Sequence, residues 1–427
     1  MAILLQNANF VHWDTLVFQP ADVLVEEGPG GRITLGSPGG IAAGEHDVID
    51  CRGKLVTRSF AVAHHHVYSA LARGMPPPPS PPAGFLDILR SIWWRLDKSL
   101  DADSIRMSAL VTAMAAAKSG ATFVADHHAS PHHIRGSLDI IAGSFEQVGI
   151  AHLLCYEVSD RDGSHSTALG LEETDSYLQG KQGLVGLHAS FTVGNDTLKK
   201  AVELMQRHDS GIHMHLAEDT CDQEHCLDNY NSRVVQRLDG AGVLDSSKTI
   251  MVHGLHLDDD ERKLLGNKPC WVAQNMESNL KNKVGRFNAR GLGSRIMLGT
   301  DGMHSDMLRS CRAAFLAGQG VDQIDPVSAY ARLRNIHRYL KQNGFAGDDD
   351  NNLVVLAYDS PTELNSDNLP AHMVFGMHAG NVRDVIAGGR LIVKNRVLQT
   401  IDEETVLKES AAQSRRLWNK MQAVGVP

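Results

Sequence analysis

Between residues 58 and 354 short apolar runs alternate with longer stretches of helical spacing. The runs are FAVAHHH, ATFVADHH, IAHLLCYEV, GLVGLHASF, GIHMHLAE, KTIMVHG, CWVAQN and RIMLGTDG. Each is the length of a strand, and the segments between them carry the three-to-four-residue apolar period of amphipathic helices. Eight β–α units in succession predict a parallel barrel. The pattern changes at both ends of the chain. Residues 1–57 alternate short apolar runs with Gly-rich turns (AILLQNANF, ADVLVEE, GPGGRITLG, DVIDCRGKLVT), the rhythm of a small antiparallel unit. That rhythm returns in NNLVVLAYD, AHMVFGM and VRDVIAGGRLIVKNRVLQT. The expected fold is α/β: a distorted (β/α)8 TIM barrel over 58–354, with a small β-sandwich formed by 1–57 together with 355–427. The run GMPPPPSPPAGF breaks any helix or central strand, because proline lacks the N–H donor. It reads as a stiff loop after the first barrel strand, leading into a helix that carries Trp93 and Trp94. No fixed-period repeat is present, so a solenoid is not expected.

Composition narrows the function. With 427 residues, 42% of them hydrophobic, the chain can bury a large core. A net charge of −9 with interspersed signs argues against nucleic acid as a partner, which requires a basic stripe. Six cysteines without CxxC spacing read as reduced thiols. The first residues, MAILLQNANFVHWDT, lack the basic start and long apolar core of a signal peptide, and no apolar run reaches membrane-spanning length. A soluble, cytoplasmic protein without a membrane partner is expected. The 22 histidines change the picture, because histidine is the commonest metal ligand.

What matters is where they fall. His64, His65 and His66 close the first barrel run. Side chains alternate along a strand, so His64 and His66 share a face and His65 takes the other. Two imidazoles on one face can reach a single ion. In HMHLAED, Glu218 follows His215 by three residues, close enough for its carboxylate to return towards an ion that His215 binds. A carboxylate so placed can take a proton from a bound water and return it to a leaving nitrogen. His253 follows KTIMV and Asp301 follows RIMLGT. Strand ends 1, 5, 6 and 8 thus carry His, His, His and Asp, and barrel active sites gather at the C-terminal strand ends.

This set resembles the amidohydrolase superfamily, in its branch of deaminases and triazine hydrolases. The segments AHHHVYSALARGM, SIWWRLDKSLD, SGATFVADHHASP, GLHASFTV, HMHLAED, NMESNLKNKVG and LGTDGMHSDM are closest to the SsnA aminohydrolase group. The resemblance covers nearly the whole chain. It implies metal ligation by His64, His66, His215 and Asp301, with Glu218 as proton shuttle and His253 polarising substrate or orienting the water. His188, at the end of strand 4, matches a substrate-contacting position; Ser69 and Trp93 join it as candidate substrate contacts. No lysine stands at that strand end to bridge two metals, so one divalent ion is expected. Zinc suits a His3Asp set, and iron or manganese accept the same ligand types.

The departures are informative. Arg58-Ser59 replaces the usual Pro-Gly before the first strand, which should affect only the turn, and Met276 replaces the usual proline of the strand-7 segment. Ser69 stands where 8-oxoguanine deaminases carry a glutamine that reads the purine, which argues against that substrate. Asp126, His127 and His128 could form a second metal site, but hydrogen-bonded structural roles are preferred. Arg73 is read as a brace for the first loop. The expected activity is deamination of a small purine- or pteridine-like heterocycle by a metal-activated water, in a homo-oligomer, most simply a dimer. Ring opening of a cyclic amide is the alternative; dehalogenation or a non-catalytic scaffold rank lower.

Overall fold

The computed structural model describes residues 2–425. Its strands in chain order are β1 (Ile3–Val11), β2 (Phe18–Val25), β3 (Ile33–Gly36), β4 (Asp47–Asp50), β5 (Leu55–Arg58), β6 (Phe60–His65), β7 (Ala121–His128), β8 (Ala151–Val158), β9 (Val185–Ala189), β10 (Ile212–Leu216), β11 (Ile250–His253), β12 (Trp271–Gln274), β13 (Ile296–Leu298), β14 (Leu353–Leu356), β15 (Val382–Ala387), β16 (Arg390–Lys394) and β17 (Val397–Leu398). Strands β6 to β13 form one parallel sheet in sequence order. The backbone amides of Thr300 and Asp301 donate to the His64 carbonyl at 3.0 and 3.1 Å, which closes β13 onto β6. The expected distorted (β/α)8 barrel is therefore present, and its eight strands coincide with the eight apolar runs.

Alternation along the strands sorts the core into two faces. Ala61 and Ala63 of β6, Phe123 and Ala125 of β7, Leu153 and Cys155 of β8, and Ile250 and Val252 of β11 pack inside the barrel. The helix Pro326–Gln342 covers the lower end, placing Ile336, Tyr339 and Leu340 in the same cluster. The intervening strand residues, such as Phe60, Val62, Val124 and Leu187, face the surrounding helices. One irregularity decides the chemistry. Simple alternation from Ala61 and Ala63 would send His65 inward and His64 outward. The pairing of β6 with β7 slips by one residue between Val62 and His65. Such a bulge re-aims the side chains beyond it, and it turns His64 and His66 inward.

Both ends of the chain build the second sheet, of nine strands, in which β14 pairs with β5 and β1 pairs with β2, β4 and β5. Ile3, Leu5, Phe10, Val23, Val56 and Val355 belong to its separate core. The joint to the barrel is the Arg58-Ser59 turn. The Arg58 guanidinium meets Asp348 at 3.2 Å and Asp350 at 2.7 Å, and the buried Arg334 donates to the carbonyls of Ser59 and Arg58 at 2.7 and 3.1 Å. The segment AHMVFGM, expected to extend the sheet, is instead part of the helix Leu369–Phe375. Pro370 suits a helix's first turn, and Leu369, Met373 and Val374 fall on one buried helical face. The helix Glu403–Ala423 returns to the barrel, where Lys118 holds Glu403 at 2.6 Å and the Trp418 indole donates to the Leu71 carbonyl at 2.9 Å. The proline run has no regular structure, and the helix after it opens into a wide turn over Leu89–Trp93 before Trp94–Ser99.

Candidate active site

The inward alternation continues up each strand and turns polar at the C-terminal mouth. Above Phe123 and Ala125 it reaches His127; above Leu153 and Cys155 it reaches Glu157; β9 carries His188 and β10 carries His213 and His215 on this face. His253 closes β11, and Asp301 follows β13. All of these side chains are buried.

Hydrogen bonds fix the imidazole tautomers. His66 Nδ1 lies 2.7 Å from the His127 carbonyl, and His215 Nδ1 lies 2.9 Å from the His188 carbonyl. A carbonyl only accepts, so each Nδ1 carries the proton and each Nε2 presents its lone pair. Those two Nε2 atoms stand 3.1 Å apart. Two facing lone pairs repel, and a shared cation converts that repulsion into attraction. His64 Nε2 is likewise buried without a partner, while its Nδ1 lies 2.9 Å from His213 Nε2. Asp301 Oδ1 is 3.4 Å from His66 Nε2. Ligand atoms of His64, His66 and Asp301 lie within 4.8 Å of one another, as do those of His64, His215 and His253. Metal-binding imidazoles characteristically give their other N–H to a carbonyl in this way. Burial and the neighbouring imidazoles hold His64 and His215 well below the usual histidine range, in the neutral form a metal requires. The donor set fits a divalent transition metal.

His253 is arranged the other way round. The Asn279 amide nitrogen lies 2.8 Å from its Nδ1, so Nδ1 accepts and Nε2 carries the proton. That Nε2 is 3.3 Å from Glu218 Oε2 and 3.7 Å from Asp301 Oδ2. Burial lowers the His253 pKa to about 4, so the ring is a neutral donor. Burial, reinforced by the charge of Asp301, pushes the Glu218 carboxyl well above the ordinary glutamate range, and its Oε1 accepts from Asn282 at 3.3 Å. Burial opposes the ionised form of Asp301 as well, but His66 and His253 outweigh it and hold that carboxyl low. The two carboxyls are thus driven apart, the pattern of a proton carrier beside a permanent anion.

The backbone is strained here. His253 (φ +74°), Asp301 (φ +53°) and Ala217 (φ +43°) occupy the left-handed region, at about 1–3 kcal/mol each. Gly299 is needed for closure: a Cβ there would lie 2.3 Å from Asn275 Oδ1 and 2.9 Å from the His64 carbonyl.

A cavity of about 110 Å3 opens over these groups, walled by Phe85, Leu89, Trp93, Trp94 and His188. His188 Nδ1 is 2.7 Å from Thr192 Oγ1. Ser69 also lines it, but its hydroxyl donates to the His66 carbonyl (2.7 Å) and approaches the Gly302 carbonyl (3.1 Å). Lys281 stands over the Trp93 ring at 4.8 Å. His65 points away, 3.2 Å from Ser305 Oγ. Asp126 accepts from the Val67 amide at 2.7 Å and His128 bonds Ser130 at 2.9 Å, the structural roles expected of them. His127 is hydrogen-bonded too, its Nε2 lying 3.0 and 3.1 Å from the His213 and Leu187 carbonyls, and it also falls close to His66, His215 and Glu157. Arg73 is exposed and does not line the cavity. Sequence reasoning missed Glu157, Arg161, Asn279 and Asn282. Inward alternation from Leu153 and Cys155 would have found Glu157, and NMESNLKN carried both asparagines.

The Amidohydrolase family model matches residues 59–392. The chain is 27% identical to a 5-methylthioadenosine/S-adenosylhomocysteine deaminase of Desulforudis audaxviator, over 98% of this chain and 99% of that one. Among solved structures it resembles an adenosine deaminase from Xanthomonas campestris with bound zinc (TM-score 0.81, 18% identity, 99% and 98% of the two chains). It also resembles an atrazine chlorohydrolase from Arthrobacter aurescens TC1 in complex with zinc (TM-score 0.76, 16% identity, 96% and 100%).

Proposed function

The chain belongs to the amidohydrolase family, and on that footing we propose that it is a zinc-dependent aminohydrolase that removes an exocyclic amino group from a purine- or pteridine-like heterocycle. His64, His66, His215 and Asp301 would hold one ion. The observation that carries this reading is the pair of bare Nε2 atoms of His66 and His215, 3.1 Å apart and fixed by their Nδ1–H bonds. The names of the relatives, deaminases of adenosine derivatives, support an amine as the leaving group. The six cysteines are all free, and no described helix is long and apolar enough to cross a membrane; both suit a cytoplasmic enzyme.

A divalent ion held by these residues would supply Lewis acidity and make water at the site acidic enough to ionise near neutrality. The remaining steps fall to the chain's own residues. Glu218 takes the proton of the attacking water and delivers it to the departing nitrogen, a task suited to a raised carboxyl pKa. His253, kept in its Nε2–H form by Asn279, donates to the negative charge that develops as the ring carbon becomes tetrahedral. The aromatic wall of Phe85, Trp93 and Trp94 packs on a flat ring and excludes bulk water.

The test is elemental analysis of the purified protein with an ammonia-release screen over purines, pteridines, hydantoins and triazines. One zinc per chain, lost in His215→Ala and kept in His65→Ala, with ammonia released from an intact ring, is expected. Equal metal in wild type and His215→Ala, or substrate consumed without ammonia, would overturn it.

A further inference from the structure

One wall of the cavity carries charge that the mechanism above does not use. Glu157 ends the inward face of β8, and Arg161 follows four residues later; their side chains are 3% and 9% exposed, and both line the cavity. Each is held in place. Glu157 Oε2 lies 3.1 Å from His127 Nδ1, and Oε1 lies 3.8 Å from Arg161 Nη2. Arg161 gives Nη2 to the buried Asp97 and Nε to Asp162 at 3.0 Å, and its guanidinium stacks 5.2 Å above the Trp94 ring. Burial alone would favour a neutral Glu157, but His188, His127 and Arg161 hold its carboxyl below the ordinary range. Among the described residues, Oε1 of Glu157 and Nη1 of Arg161 make no hydrogen bond. A Glu157 carboxylate oxygen also falls within 4.8 Å of a ring nitrogen of His66 and one of His215. A ring bound in this cavity over His66 and His215 would meet Glu157 on its edge.

We propose that Glu157 and Arg161 form an acceptor–donor pair that reads a lactam edge of the substrate, a ring N–H next to the reacting carbon followed by C=O, and so select oxo-heterocycles over aminopurines lacking that edge. The proposal rests on the aminohydrolase reading and narrows its substrate class. A carboxylate offers no proton. It accepts from a lactam N–H, but it repels the lone pair that adenine or adenosine presents at the same ring position. The guanidinium meets the lactam oxygen and would be left unpaired against a C–H. Sites built to bond a polar edge reject analogues without it far more strongly than apolar pockets reject a change of size.

Two pairs of compounds isolate the edge, since each pair shares its leaving amine: guanine with 2-aminopurine, and isoguanine with adenine. In the metal-replete wild type, kcat/KM should favour the lactam member of at least one pair by roughly 10²-fold or more. In Glu157→Gln with unchanged metal content the preference should fall at least tenfold, because an amide can turn either its oxygen or its nitrogen to the ring. A wild-type preference for the lactam-free members, or an unchanged ratio in that variant, would overturn the proposal. If Glu157→Gln does not fold, Arg161→Lys takes its place. Lysine keeps the charge opposite Asp97 but lacks the planar second donor, so the ratio should again fall, and an unchanged one would count against the pair. Failure of the aminohydrolase reading would look different: no ammonia from any of the four compounds. In that event thermal shift with hypoxanthine and purine, which differ only in the lactam, still decides. Tighter binding of hypoxanthine supports the pair, and equal or weaker binding overturns it.

Discussion

The two ends of the barrel are built from the same strands and do opposite work. At the lower end Phe123, Leu153, Cys155, Ile250 and Val252 fill the interior with apolar side chains in ordinary strand geometry, closed off by Ile336 and Tyr339. A few residues further along, the inward rows become His127, Glu157, His188 and His215, joined by His253 at the end of β11, with backbone strain at His253 and Asp301. The lower end gains stability from every residue it buries. The upper end gives stability away, because left-handed non-glycine residues each cost free energy. Function is thus concentrated where the fold is least satisfied, and the apolar end beneath carries that burden.

Substitutions should separate the two ends. Phe123→Ala removes a fully buried ring and should lower stability by about 3–5 kcal/mol, while metal content and the kcat of the folded fraction stay near wild type. Denaturant unfolding with elemental analysis checks this, and loss of metal would show that the ends are not separable. At the mouth, Asn279→Asp should behave inversely. An aspartate oxygen against His253 Nδ1 accepts where the amide donated, so the ring moves its proton to Nδ1 and loses the Nε2–H. Activity should fall about 10- to 100-fold, the range for a residue that orients a site imidazole, with little change in unfolding free energy. A smaller effect belongs to the joint at the lower end. Burial pushes the Asp348 carboxyl up, but His337 and Arg58 outweigh it and hold it at about 2, against an ordinary value of 3.8. A lowered carboxylate pKa stabilises the fold above the unfolded value. Its contribution, about 2 kcal/mol, is complete above pH 3.8 and is lost as the pH falls towards 2. Unfolding curves between pH 5 and 2 should show this component in the wild type and lack it in Asp348→Asn; identical curves would remove Asp348 from the joint.

The same contrast explains what was legible in the sequence alone. Short apolar runs with helical spacers depend on local burial, so all eight barrel strands were legible, as was the cluster of strand-end His and Asp residues. The bulge in β6 was not, because it is a property of two paired strands, and without it His64 and His66 would face the helices. Nor could the tautomers be read, since His66 and His215 are fixed by carbonyls of the neighbouring strands β7 and β9. Glu157 was overlooked for a different reason: the reading followed resemblance to strand ends 1, 5, 6 and 8 and did not extend inward alternation along β8. AHMVFGM was read as a strand because a short apolar run has no period long enough to distinguish helix from sheet, and Pro370 was the neglected clue.

The central claim is that the mouth is a metal-centred hydrolytic site in which Glu218 moves the proton without holding the ion. The most direct measurement is kcat and metal content of Glu218→Gln, side by side with the wild type, on whichever heterocycle the screen identifies. The account predicts full metal occupancy, unchanged folding, and a kcat lowered by roughly 10²–10⁴ with a much smaller change in KM. A metal-replete Glu218→Gln enzyme with near-normal kcat would contradict it, and loss of the metal in that variant would mean that Glu218 is a ligand and not the proton carrier.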